Sequence, residues 1–71
     1  MEIEDDTLNM PVLCRAQAKA SHRAEDENEI TISMNDLLEV LERGDSGWWL
    51  VRSENGNVGW APSNYLTEMV R

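Results

Sequence analysis

The run WWLVRSENGNVGWA, residues 48–61, sets Asn55-Gly56 between two segments rich in aromatic and β-branched residues. Asn-Gly supplies the positive φ angles of a type I′ turn, so this is a strong short-range hairpin signal. Side chains alternate along a strand. Trp49, Val51 and Ser53 therefore share one face, and Trp48, Leu50 and Arg52 the other. A two-stranded hairpin is marginal in water, so further strands must cover it. The economical sources are LLEVLE, residues 37–42, and the segment at residues 12–18. Together they describe a small antiparallel barrel.

Two upstream segments admit a second reading. In NDLLEVLERG, Leu37, Leu38, Val40 and Leu41 fit one helical face, with Asn35 as N-cap and Gly44 as stop. In AQAKASHRAEDEN, residues 16–28, the composition suits a helix, but no apolar period is sustained and the run ends in acids. Residues 1–10 are expected to form an acidic, disordered tail, with the folded domain over residues 11–71.

Length and charge narrow the function. Seventy-one residues make one domain, near the lower limit for a core without staples. The lone Cys14 excludes an internal disulfide, and no His/Cys cluster offers a metal site, so no metal or cofactor is expected. A net charge of −8 opposes binding to nucleic acid or anionic membranes and favours basic partners. No apolar run reaches bilayer length and the N-terminus is acidic, unlike a signal peptide, so a cytoplasmic location is expected. His22 and Cys14 are the only imidazole and thiol, without an evident orienting partner, which argues against an enzyme.

The aromatic residues raise a further point. All four, Trp48, Trp49, Trp60 and Tyr65, fall in the second half, beside Pro62, and Phe is absent. Trp is seldom fully buried, because it is large and carries an N–H. An ordinary core of aliphatic residues and Phe does not account for this clustering.

GWWLVRSENGNVGWAPSNYL resembles the signature half of a Src homology 3 (SH3) domain: a paired Trp, a hairpin, then Gly-aromatic-x-Pro-Ser-Asn-Tyr. Upstream, EITISMNDLLEVLERGDSGWW follows the family's spacing, so the resemblance covers residues 12–69. It implies an all-β fold, a five-stranded SH3-like antiparallel barrel with a short 3-10 turn near Ser63–Tyr65. The helical reading of LLEVLE yields to it. WWLVRSENGNVGW and the terminal EMVR are also similar to the epidermal growth factor receptor kinase substrate adaptors, whose SH3 domains prefer a proline-x-x-Asp-Tyr motif.

The family binds proline-rich segments in the polyproline II conformation along an aromatic groove. By resemblance, Trp48 divides that groove and donates its indole N–H, Pro62, Asn64 and Tyr65 form its floor and wall, and Trp60 flanks the pocket for a basic ligand residue. Trp49, on the opposite face, is structural or at the rim. The resemblance also implies that Glu25, Asp26, Glu27 and Glu29, with Asp45 in the next loop, meet that basic residue, Glu29 most directly. Inward positions are Ala18, Ile30, Ile32, Leu38, Val40, Val51, Ala61 and Leu66, with Leu13 or Met10 folding across the barrel. Such a core implies a stability of about 3–5 kcal/mol.

The first-strand motif departs from the family. Where Ala-Leu-Tyr-Asp-Tyr is usual, this chain has AKASH, so Ala20 and His22 replace the two groove tyrosines. At about 25 cal/mol per Å² the missing ring at Ala20 costs about 1–2 kcal/mol of contact. The expected function is therefore a monomeric interaction module of a signalling or cytoskeletal adaptor. It would bind proline-rich peptides with a basic flank, weakly or with an atypical motif. The alternative is a module acting outside the groove: a domain-swapped dimer, an intramolecular clamp or a binder of folded partners.

Overall fold

The computed structural model describes residues 11–69. Five strands follow in chain order: β1 (Cys14–Ala18), β2 (Leu37–Arg43), β3 (Trp48–Ser53), β4 (Val58–Pro62) and β5 (Leu66–Met69), with a 3-10 turn at Ser63–Tyr65 before the last. They form one antiparallel sheet in the order β4-β3-β2-β1-β5. This is the expected architecture, including the 3-10 turn. Residues 1–10, and Met10 with them, lie outside the described residues, as do Val70 and Arg71.

The helix-like spacing of LLEVL has a structural origin. In β2, Val40 pairs with Val51 and Glu42 with Leu50, so Leu41 is the extra residue of a β-bulge. A bulge reverses the in–out phase of a strand. Val40 and Leu41 are thereby both buried, at 0% and 3% exposure, while Leu37 stays exposed. Apolar residues at 37, 38, 40 and 41 thus satisfy a strand with one irregularity as well as a helical face. Asn35 is not an N-cap. It sits at φ 78° in the turn entering β2, a conformation that Asn tolerates better than most side chains.

The hairpin forms, but not with a type I′ turn. Asn35 is the one non-glycine at positive φ among the described residues, so Asn55 is not left-handed, whereas Gly56 has φ 94°. The Gly56 N–H donates to the Ser53 carbonyl at 3.0 Å, and the Ser53 N–H to the Asn57 carbonyl at 2.8 Å. Glu54, Asn55 and Gly56 therefore make a three-residue loop that ends on a left-handed glycine. Asn55 Oδ1 accepts the Ser53 hydroxyl and the Asn57 N–H, which holds the loop from inside.

All eight expected core residues are buried in one cluster, and Ala16 joins them. Leu13 does not fold across the barrel. It is 49% exposed, although its N–H extends the β1–β2 ladder to the Val40 carbonyl. Three members of the core cluster are alanines, Ala16, Ala18 and Ala61, all essentially inaccessible to solvent.

The 18 residues between β1 and β2 form a narrow loop rather than a helix. Its legs are joined by reciprocal bonds between His22 and Ile32, each 2.9 Å. The loop then docks on the outer edge of β4. The Ile30 N–H donates to the Trp60 carbonyl at 3.1 Å, and the Trp60 N–H to the Asn28 carbonyl at 2.9 Å. This contact covers a sheet edge that would otherwise present unpaired backbone groups. It also requires Gly59, because a Cβ there would lie 2.9 Å from both Cβ and N of Ile30.

Candidate functional site: an aromatic groove beside an acidic loop

Three elements meet at one end of the sheet. Trp48 opens β3 and pairs across the ladder with Pro62 at the end of β4. The chain then turns through Ser63–Tyr65, where the Ser63 N–H donates to the Gly47 carbonyl at 2.8 Å. The Tyr65 carbonyl accepts the Lys19 N–H at 2.8 Å, which ties this turn to the start of the long loop. Tyr65 is half-buried and packs partly on the core.

His22 is the centre of the arrangement. Its ring meets Trp48 at 5.7 Å and Tyr65 at 5.9 Å between centroids, with interplanar angles of 73° and 82°. Both are edge-to-face contacts, the geometry favoured by ring quadrupoles. His22 thus occupies the space between the two groove aromatics and adds a polar edge. Ala20 is half-buried and contributes no ring.

The acidic loop joins this cluster through Glu29. His22 Nε2 lies 2.9 Å from Glu29 Oε1, with the two side chains only 13% and 15% exposed. The Glu25 N–H donates to the same oxygen at 3.0 Å. These contacts, the Glu25 amide first and then the imidazole, hold the Glu29 carboxyl below the usual glutamate range, so it is ionised at neutral pH. Glu29 is also backed by the bridge between its backbone and Trp60.

The other acids divide by role. Asp26 Oδ1 accepts the Asn28 N–H at 2.8 Å and its carbonyl accepts the Glu29 N–H at 3.2 Å, so Asp26 shapes the loop tip. Glu25, Glu27, Asp45 and Asn64 have exposed side chains. Trp60 and Pro62 are half-buried on β4. Trp49 faces away from Trp48, packs on the core, and carries the Arg43 guanidinium 5.2 Å above its ring. Arg43 Nη2 also reaches Glu68 Oε1 and Cys14 Sγ, each at 3.3 Å.

The His22–Glu29 contact was not read from the sequence. No local signal carried it: the pairing of His22 with Ile32 turns the loop at residue 27 and sets Glu25 and Glu29 opposite each other, and that register exists only in the folded loop. A concavity of about 530 Å³ lies on the outer sheet face, against Arg15, Leu37, Glu39, Arg52 and Met69. Arg52 and Glu39 bridge it with an ion pair of 2.7 Å. The described residues contain no cluster of His, Cys, Asp and Glu suited to a metal ion, and no helix long and apolar enough to cross a membrane.

Fold and site together define a small protein-interaction domain, and the comparisons with known proteins agree. A family model described as a variant SH3 domain matches residues 15–69. The chain belongs to the SH3 domain family. It is 40% identical over 63 residues to Myosin-1 of Mycosarcoma maydis, covering 86% of this chain and 5% of that protein. It is 48% identical over 54 residues to the high osmolarity signaling protein SHO1 of Podospora anserina, covering 73% of this chain and 17% of that one. The chain therefore spans only a small part of these curated relatives. Among solved structures, the C-terminal SH3 domain of myosin IB from Entamoeba histolytica, bound to an EhFP10(GEF) peptide, superposes with a TM-score of 0.77 at 31% identity. That match covers 86% of this chain and all of the other. SH3 domains are non-enzymatic interaction modules, and this chain has the sequence and the fold of an SH3 domain.

Proposed function

We propose that this domain binds proline-rich segments of other proteins along the groove bounded by Trp48, Pro62, Tyr65 and His22. The carrying observation is the edge-to-face packing of His22 on both Trp48 and Tyr65, which joins the long loop to the aromatic wall. Flat apolar rings with N–H and O–H edges suit a polyproline II ligand, whose prolines stack while its carbonyls accept hydrogen bonds. The peptide complex of the Entamoeba relative supports this reading.

A basic residue flanking the prolines is received by Glu29, with Glu25, Asp26, Glu27 and Asp45 adding favourable potential and Trp60 covering one side. Asn64 borders the groove, and Ala20 leaves the first proline pocket shallow. The parent is a cytoplasmic signalling or cytoskeletal protein, and the domain, over residues 11–71 behind an acidic tail, acts as a monomer without cofactor or nucleic acid. The likeness to the epidermal growth factor receptor kinase substrate adaptors makes a proline-x-x-Asp-Tyr peptide the natural second probe.

A second reading uses the outer sheet face, where Leu37 and Met69 are exposed beside the 530 Å³ concavity. Titration of the labelled domain with a basic proline-rich peptide separates the two. Groove binding shifts the Trp48 indole and the amides of Trp48, Ser63 and Tyr65 first. Shifts confined to Leu37, Glu39 and Met69 would overturn it and favour the outer face.

A further inference from the structure

Glu29 Oε1 has two donors. A carboxylate offers about two acceptor sites on each oxygen. The Glu25 N–H at 3.0 Å and His22 Nε2 at 2.9 Å fill those of Oε1. No donor from the described residues reaches Oε2. The carboxylate accepts only, so His22 must hold a proton on Nε2 to make this contact, whether the ring is neutral or charged.

An arginine fork binds a carboxylate best by placing one N–H on each oxygen. A lysine ammonium is a point charge and needs only one oxygen. With Oε1 occupied, Glu29 offers a ligand Oε2 alone.

We propose that His22 is a specificity-determining residue of the groove: by occupying Glu29 Oε1 it restricts the ligand's basic residue to a single-oxygen contact and abolishes the advantage of arginine over lysine. The inference rests on the groove reading and adds to it the identity of the basic residue accepted. Its origin lies in this chain's departure from its family, because a tyrosine at position 22 presents no ring N–H to Oε1. The effect comes from His22 alone, since the Glu25 amide occupies only one of the two sites.

Two short proline-rich peptides, identical except for Arg or Lys at the basic flank, are titrated calorimetrically into the wild-type domain and into His22→Phe. The wild type should bind both within about twofold, and His22→Phe should favour the Arg peptide by about five- to tenfold as the fork regains both oxygens. His22→Gln, which retains an N–H donor, should return the ratio towards unity. Binding with the same ratio in all three proteins overturns the assignment of His22 while leaving the groove reading intact. Failure of either peptide to bind the wild type, with no groove shifts, overturns both. The wild-type imidazole gives a ligand-free check. Its nitrogen-proton correlations at neutral pH should report the proton on Nε2, and a ring protonated only on Nδ1 overturns the proposal even if His22→Phe fails to fold.

Discussion

Glu29 combines two duties that pull against each other. In the proposed reading it must stay ionised to attract a cation, yet its side chain is largely covered. The Glu25 amide and the His22 ring resolve the conflict by stabilising the carboxylate, which lowers its proton affinity below that of the unfolded chain. A carboxyl whose folded value is depressed adds stability above its unfolded value and loses it as the pH falls through the folded one. The stability difference between wild type and Glu29→Gln should therefore be level above pH 4.5, the ordinary glutamate value, and should shrink below it. Urea unfolding at a series of pH values checks this, and a difference that grows on acidification would contradict it. Ala20 makes the complementary case, because nothing at that position offers a ring to a proline. Ala20→Tyr should tighten a generic proline-rich peptide by about tenfold, the equivalent of 1–2 kcal/mol of added contact. Calorimetry measures it, and an unchanged or weakened affinity would show that the first pocket is not used.

At the scale of elements, the junction between the long loop and β4 positions the candidate site. Ile30, Trp60 and Asn28 exchange backbone bonds there, and Gly59 supplies the clearance. Gly59→Ala brings a methyl to 2.9 Å from Ile30 backbone and side chain, so the loop must move away from the sheet. The expected cost is about 1–3 kcal/mol of stability by overpacking, read as a fall in the denaturation midpoint. Displacing the loop also moves His22 and Glu29 relative to Trp48, so peptide affinity should fall as well. A stable variant with wild-type affinity would mean that the loop's seat does not control the groove. The β2 bulge works in the opposite sense, by adding Leu41 to the buried residues without disturbing the pairing on either side.

Taken as a whole, the molecule carries fourteen acidic residues against six basic ones. Such an imbalance acts at range on a basic ligand, raising its encounter rate more than its final affinity. Peptide association should slow as salt rises towards physiological strength, where the screening length is about 8 Å. Glu29→Lys should weaken binding more than Glu54→Lys on the hairpin loop, because only the former changes the sign of a charge in the groove. Stopped-flow rates and equilibrium titrations test both, and salt-independent association would remove the acidic loop from the mechanism.

How much of this was open to reading differs with the range of the forces involved. Ile30, Ile32, Leu38, Val40, Val51, Ala61 and Leu66 could be named as core, because family spacing and strand alternation are carried by near neighbours in the chain. The hairpin was visible for the same reason, although its turn was not, since Asn-Gly satisfies a two-residue loop and a three-residue one alike. The strand at LLEVL was masked by a bulge, whose phase depends on the partner strand and not on the segment itself. The aromatic residues were legible as types in order, and the fold sets Trp48 opposite Pro62 and packs His22 on Trp48 and Tyr65. The state of Glu29 was not: His22 and Glu29 meet only because the long loop folds back on itself and docks on β4. Residue order, read with the family pattern, determined the hairpin and the core, because alternation and burial are carried by near neighbours in the chain. Tertiary structure alone decided which oxygen of Glu29 is already hydrogen-bonded, because that follows from a side chain and an amide brought to Oε1 by the docked loop.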